Sequence, residues 1–454
     1  MTVAPTVISK VLNRSSGVRL TKTIVCLALA AALALSASVG RAQAAAGTLQ
    51  AGASKVDITP TPDEFPYVQG REKAFVGVHD PLFVRALVLD DGKRRVALIS
   101  IEVTTVPMPE EMSAAASQTL GLPASSIMLS ASHTHEAPLV FFHSPAPDPV
   151  QAKEIARIKQ AIVTAAQQAL ANLQPATIAF ARGQAFININ NGEEKRLTTW
   201  NDPTGPSDKS LDVIRLQTRT GAPLALIVNY ASHSEVMFRS VTKDGGYEVT
   251  GDISGRTAHL LEDSPKGAPV VFYTPAAEAD QLPIFKSLEP AGELPASDEG
   301  AAGWALLDVQ SRRLASSVID TLATMPAGNS NVSLAAGAGT VSCPGQQWRR
   351  DPATGAASLV DHPPVTIHLQ VVRIGDIALA GVGGDLGTAI GGAIKAASPV
   401  AHTTVVSQIA GTVGYILPDA AYVHPGHGLM GSLLKPGCAQ SAIVGGLRPL
   451  LSAN

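Results

Sequence analysis

The feature that most limits what this chain can fold into is an alternation. Short runs rich in β-branched and other apolar residues recur along it, separated by longer Ala-rich stretches. Val84 to Leu89 and Arg95 to Ile101 flank Asp90-Asp91-Gly92, a hairpin signal. Ile127 to Ser130, Ala176 to Ala181, Val213 to Gln217, Leu224 to Tyr230 and Val270 to Tyr273 read as further strands, and so do Thr366 to Ile374 and Ile377 to Val382. Glu110 to Leu120, Val150 to Leu173, Gly303 to Leu322 and Leu386 to Ala396 read as helices, Val150 to Leu173 from a repeated apolar spacing. Strands and helices mixed in this way predict an α/β fold with central mixed β-sheets flanked by helices. No repeat of solenoid length is present.

The first 44 residues stand apart. Arg14, Arg19 and Lys22 precede the apolar stretch Ile24 to Val39, and Ala42-Gln43-Ala44 is an A-x-A cleavage pattern. Residues 1–44 therefore read as a secretory signal peptide. The other reading, a retained anchor, suffers because the apolar run is too short to span a bilayer comfortably. Residues 45–454 exceed the usual length of ~150 for one domain, yet no linker or charge run divides them, so one large unit is expected. A formal charge of −3 leaves no basic patch and argues against a nucleic-acid partner. With Cys26 lost in the signal, Cys343 and Cys438 remain. In an oxidising compartment they are expected to pair, the alternative being two buried thiols.

Candidate chemistry begins at "SASHTHEAPLV", positions 130 to 140. Two histidines, His133 and His135, stand one residue apart at the end of a strand-like run. Residues i and i+2 of a strand share a face, and neutral imidazole is a common zinc ligand. Alone, H-x-H also occurs by chance in loops, since the chain has 11 histidines. Context strengthens the metal reading. "LIVNYASHSEVMF" runs out of a strand into His233, and "AGVGGDLGTAIGGAI" runs out of another into Asp385. Functional groups placed just past strand ends are where clefts form in α/β proteins.

Other metal and nucleophile patterns fail on the letters. A metallo-β-lactamase-like H-x-H-x-D-H would need Asp and His where Ala137 and Pro138 stand. The H-E-x-x-H helix and the G-x-S-x-G elbow are both missing from the sequence. Ser240-Val-Thr-Lys243 fits S-x-x-K but stands alone in a polar stretch.

With these residues in view, the chain resembles the catalytic domain of the neutral (non-lysosomal) ceramidase family. "AGASKVDITPTP" is similar to the family's opening, "GVHDPLFVRALVLDDGKRRVALISIE" to its first hairpin, and "SHTHEAP" to its S-H-T-H-S-G-P motif. "VNYASHSEV", "LQVVRIGDIALAGVGGDLGTAIGGAIK" and "GTVGYILPDAAY" resemble its second histidine, carboxylate and tyrosine segments.

The resemblance implies one large catalytic domain holding Zn2+ through His133, His233, Asp385 and Tyr415. It leaves His135 outside the ligand set as a catalytic group that polarises the scissile carbonyl or steadies the oxyanion. Tyr422, near the tyrosine segment, is expected to donate to the oxyanion. The family's glutamate is Asp385 here, and the serine of its Gly-Asp-x-Ser-Pro segment is replaced by Leu282 in Ala279-Asp280-Gln281-Leu282-Pro283. Asn190 and Asn191 stand where an arginine is expected, and no C-terminal Ig-like domain is expected after the tyrosine segment. The reading that follows is an exported zinc hydrolase, periplasmic or extracellular, cleaving the amide or ester of a small-molecule or lipid substrate such as ceramide. The alternatives are a catalytically impaired ceramidase-like binding protein, or a zinc esterase or peptidase acting on a non-lipid substrate.

Overall fold

The computed structural model describes residues 48–68, 72–138, 149–192, 201–263, 269–289, 297–351, 354, 357–423 and 427–453. The expected signal peptide lies outside the described residues. In chain order the principal strands are β1 (Gln50–Asp57), β2 (Phe83–Asp90), β3 (Arg95–Ile101), β4 (Ile127–Ala131), β5 (Gln174–Gln184), β6 (Ser210–Thr218), β7 (Pro223–Tyr230), β8 (Val270–Pro275), β9 (Leu334–Arg350), β10 (Ala357–Ile374), β11 (Ile377–Val382) and β12 (His402–Val406). The principal helices are α1 (Pro109–Leu120), α2 (Pro149–Ala171), α3 (Asp252–Glu262), α4 (Gly303–Ala323), α5 (Thr388–Ala397) and α6 (Ala439–Ser452).

Eight strands form one sheet in the order β8-β7-β6-β5-β1-β2-β3-β4, and β9-β10-β11-β12 form a second. Both sheets are mixed: β3 and β4, β7 and β8, and β11 and β12 run parallel, while the other neighbours are antiparallel. The alternation of strand side chains explains the layering. On β2, Val84, Ala86 and Val88 pack with Met112 of α1 and Ile158 and Ile162 of α2. Leu87 and Leu89 point the other way and join Ile374, Leu379 and Val406 of the second sheet. The outer faces of β6–β8 are covered by α3 and α4, and the far face of the second sheet by α5 and α6. The expected fold class is thus the observed one.

Three differences from the sequence reading have local causes. Thr366–Ile374 is only the second half of β10, because Pro363-Pro364 sits opposite a register break at Cys343/Gly345 and hides the continuity. β9 was not expected: "LAAGAGTVSC" is too rich in Ala and Gly to show a strand pattern, and it forms by pairing with β10. Helix α5 starts at Thr388 rather than Leu386 because Asp385–Leu386 is held in a short parallel bridge to Tyr415–Ile416. Cys343 and Cys438 form a disulfide, 5.8 Å between Cα atoms, which ties the start of α6 to β9.

A candidate metal centre at the strand ends

The parallel pairs direct three strand C-termini toward one place. His133 follows β4, His233 follows β7, and Asp385 follows β11. The two histidines share their site for a reason other than strand alternation. The chain turns at His133, whose φ of 63° is unusual for a side chain with a Cβ. Thr134 then forms a parallel bridge with Ser234, and His135 N donates to Ser234 O at 3.0 Å. The segments carrying His133, His135 and His233 are therefore hydrogen-bonded to one another. Behind Asp385, Gly384 permits close approach: a Cβ there would stand 2.5 Å from Ile416 Cδ1.

Each buried histidine is oriented from behind. His133 Nδ1–H donates to Thr104 O at 2.7 Å. His233 Nδ1–H donates to Glu278 O at 2.9 Å and Gln281 O at 3.2 Å. With Nδ1 protonated, Nε2 of each ring presents its lone pair forward, the arrangement in which backbone carbonyls fix a metal-binding tautomer. Ahead of the rings, His133 Nε2 lies 3.5 Å and His233 Nε2 3.2 Å from Asp385 Oδ2. His135 Nε2 stands 3.3 Å from His133 Nε2. Donors held on a tetrahedral zinc at about 2.0–2.1 Å are spaced by about 3.3–3.4 Å, so these separations match the edges of such a site.

The hydrogen bonding tells the same story. His233 Nε2, Asp385 Oδ1 and both carboxylate oxygens of Glu278 are buried without a hydrogen-bond partner among the described residues. Burial would push the Asp385 carboxyl up, but His233 and His133 outweigh it and hold it far below the usual range. Burial would lower His233, yet the Asp385 carboxylate raises it well above the ordinary histidine value. Burial, reinforced by Asp385 and Glu235, drives the Glu278 carboxyl well above its usual value. All three effects express a shortage of positive charge among buried acceptors, and the residues fit a divalent cation.

Tyr415 is paired in register with Asp385, and its ring stacks over His233 with centroids 6.4 Å apart. Tyr422 shares a small apolar cluster with Tyr415, Ala279, Leu417 and Leu429. The Tyr422 hydroxyl donates to Ser432 Oγ at 3.1 Å, since Ser432 spends its own proton on Tyr415 O. Tyr422 is thus committed toward the backbone of Tyr415. Leu282 is buried on the strand Gln281–Pro283, which pairs with Asn188–Asn190. Ser240, of the S-x-x-K match, bonds Ser287 and Asp298 and has a structural role.

Three residues near the histidines were not anticipated. Glu235 Oε2 faces His135 Nδ1 at 3.9 Å, and Lys286 Nζ binds Glu235 Oε1 at 3.0 Å. Glu278 places a carboxylate oxygen within 4.8 Å of ligand atoms on His133 and Asp385. The strand-end rule, applied to Val270 to Tyr273, would have pointed to Glu278. Asp280 in the same segment accepts from Thr388 N and Thr388 Oγ1 at 3.0 and 2.5 Å, fixing the start of α5.

No protein-family model and no curated protein sequence matches the chain. Solved structures do. The neutral ceramidase of Pseudomonas aeruginosa has a TM-score of 0.68 at 16% identity, the match covering 88% of this chain and 73% of that one. A ceramidase complexed with C2 gives 0.69 at 16% identity, covering 88% and 74%. The chain has the fold of these neutral ceramidases, as the sequence resemblance implied.

Proposed function

We propose that this protein is an exported, zinc-dependent hydrolase that cleaves an amide bond, with N-acyl lipids of the ceramide type as the leading substrate class. The observation that carries the reading is the set of buried, forward-facing donor atoms on His133, His233 and Asp385 at zinc-edge spacing. Tyr415 is assigned as the fourth ligand. The fold shared with neutral ceramidases supports the amide chemistry. The disulfide supports export to the periplasm or the medium, and no helix among the described residues is long and apolar enough to cross a membrane.

A bound zinc ion supplies Lewis acidity toward the carbonyl and an acidified water. The protein supplies position and protons. His135 is the most exposed of the three histidines, its side chain 17% accessible against 5% and 2% for His133 and His233. It therefore borders the approach to the site. Its Nε2 accepts a proton from the attacking water and returns it to the leaving amine, while Glu235 beside Nδ1 stabilises the imidazolium between these steps. Lys286 holds Glu235 in place, and the Phe238 ring meets His135 edge to face at 5.1 Å, limiting its rotation. Tyr422 is assigned to the oxyanion, a role that requires it to exchange Ser432 for substrate.

Elemental analysis of the purified chain, combined with a panel of fluorogenic N-acyl amides and esters, tests the reading. About one zinc per chain with amide turnover is expected. No transition metal even after reconstitution, or turnover indifferent to chelators, overturns it. Leu282 sharpens the substrate. A buried apolar side chain where ceramidases carry a serine discriminates by only ~1–3 kcal/mol per methylene. Ceramide turnover should accordingly be weaker than that of a short N-acyl amide. A ceramide preference of a hundredfold or more in kcat/KM, roughly 2.7 kcal/mol, would refute this.

A further inference from the structure

Glu278 is completely buried, and neither oxygen of its carboxylate has a hydrogen-bond partner among the described residues. Its backbone is pinned: Glu278 O accepts from His233 Nδ1 at 2.9 Å and from Gln281 N at 2.8 Å. The side chain cannot reach water, and the Lys286 ammonium is engaged with Glu235. What the carboxylate does face is the cluster of other acceptors, with an oxygen within 4.8 Å of ligand atoms on both His133 and Asp385. Ligands on opposite sides of one cation, each at about 2.0–2.2 Å, stand roughly 4.0–4.4 Å apart. A movement of about 0.4–0.8 Å at most would bring Glu278 to that spacing. A buried carboxylate with no donor is costly, and a shared cation removes that cost.

We propose that Glu278 is itself a ligand of the bound divalent cation, an anionic donor additional to His133, His233 and Asp385. This rests on the metal reading of the site and adds a residue to it. Two carboxylates balance the charge of one divalent ion. They also harden the donor set, widening the accepted cations from zinc toward manganese(II).

The test uses the mature chain stripped of metal, with Zn2+ alone and Co2+ alone as probes. Zinc affinity is measured by chelator competition, the cobalt environment by visible absorption, and the metal-free proteins by thermal unfolding. Glu278→Gln should bind zinc more than about 100-fold more weakly than wild type, exceeding the roughly 10–100-fold loss that follows removal of an outer partner of a ligand. Its cobalt complex should show altered visible bands, as a changed coordination number requires. Its metal-free form should unfold no earlier than metal-free wild type, because neither oxygen of the carboxyl it replaces has a hydrogen-bond partner among the described residues. A smaller loss of affinity, or an unchanged cobalt spectrum, overturns direct ligation. Should Glu278→Gln fail to fold, Glu278→Asp keeps the charge and shortens the reach, and an unchanged zinc affinity and cobalt spectrum there overturn the proposal equally. Wild type that binds neither ion would defeat the metal reading as a whole, whereas tight wild-type binding with an indifferent Glu278→Gln defeats this proposal alone.

Discussion

Two clusters of buried charge lie close together along the chain, and they are built on opposite plans. The first surrounds Arg85 on β2. Its guanidinium bonds Glu102 Oε1 at 2.5 Å and Glu262 Oε1 and Oε2 at 2.9 and 3.2 Å. Glu102 Oε2 accepts from Phe83 N, Glu262 Oε1 from Val271 N, and Glu262 Oε2 from Lys55 Nζ. Every carboxylate oxygen has a donor, and two cations meet two anions. The second cluster begins at Val103, the residue after Glu102, whose carbonyl takes the His133 amide at 3.0 Å. There, Asp385 and Glu278 face imidazoles with three of their four oxygens unpartnered among the described residues. Both clusters are buried and polar, so burial of charge alone does not mark a working site. What distinguishes the second is unfilled capacity on several converging groups at once.

The contrast can be broken first at its open end. His133→Ala and His233→Ala should each abolish zinc binding by elemental analysis, because a centre with a lost ligand loses most of its affinity. Metal-free Tm should fall only modestly, by the loss of one Nδ1–H bond to a backbone carbonyl and of the imidazole that faces Asp385 Oδ2. A large drop in metal-free Tm would mean the open cluster is structural after all.

The closed cluster should respond the other way. Arg85→Met leaves two buried carboxylates without their counter-ion and should cost about 3–5 kcal/mol in urea unfolding. The protein that remains folded should still bind zinc stoichiometrically. Adding Glu102→Gln and Glu262→Gln to Arg85→Met should restore much of the stability, and no recovery would show that packing, not charge, was lost.

A subtler division runs inside the open cluster. His135→Ala should keep its zinc and lose roughly 10²–10⁴-fold in hydrolysis, the usual worth of a proton-transfer group. Zinc content falling as sharply as in His133→Ala would place His135 among the ligands, which its 3.3 Å approach to His133 Nε2 geometrically permits.

The smallest effect concerns a carboxylate intermediate between the two plans. Glu154 on α2 bonds Arg157 at 2.7 Å, but Arg157 is shared with Glu64. Burial pushes the Glu154 carboxyl up to about 7 from 4.5. A raised folded value favours the neutral form, so this contribution is complete below the unfolded value and fades as pH rises through the folded one. Glu154→Gln should therefore raise Tm at about pH 8 and leave it unchanged at about pH 4. An equal shift at both would disconnect the effect from ionisation.

The sequence made part of this legible and concealed the rest for physical reasons. His133, His233 and Asp385 each follow a short, mostly apolar run, and such runs announce both the strand and the place where it stops. Glu278 sits in "AAEADQ", whose acidic pair reads as a solvated loop. Only tertiary packing makes it interior. Glu235 and Lys286 are similar: 51 residues apart, they become partners through the fold. The same holds for β9, whose small side chains carry no pattern of their own and are drawn into a sheet by β10.

The segment from Glu278 to Leu282 has a consequence for anyone wishing to redirect this protein. Within five residues it carries the carbonyls that aim His233, the carboxylate that begins α5 behind Asp385, and the apolar side chain at the expected specificity position. Selectivity and metal geometry are therefore not separate dials. A backbone shift that admits a larger head group at Leu282 also rotates an imidazole. Libraries built on this segment would sample mostly dead variants, because each change there reaches the metal donors as well as the substrate wall.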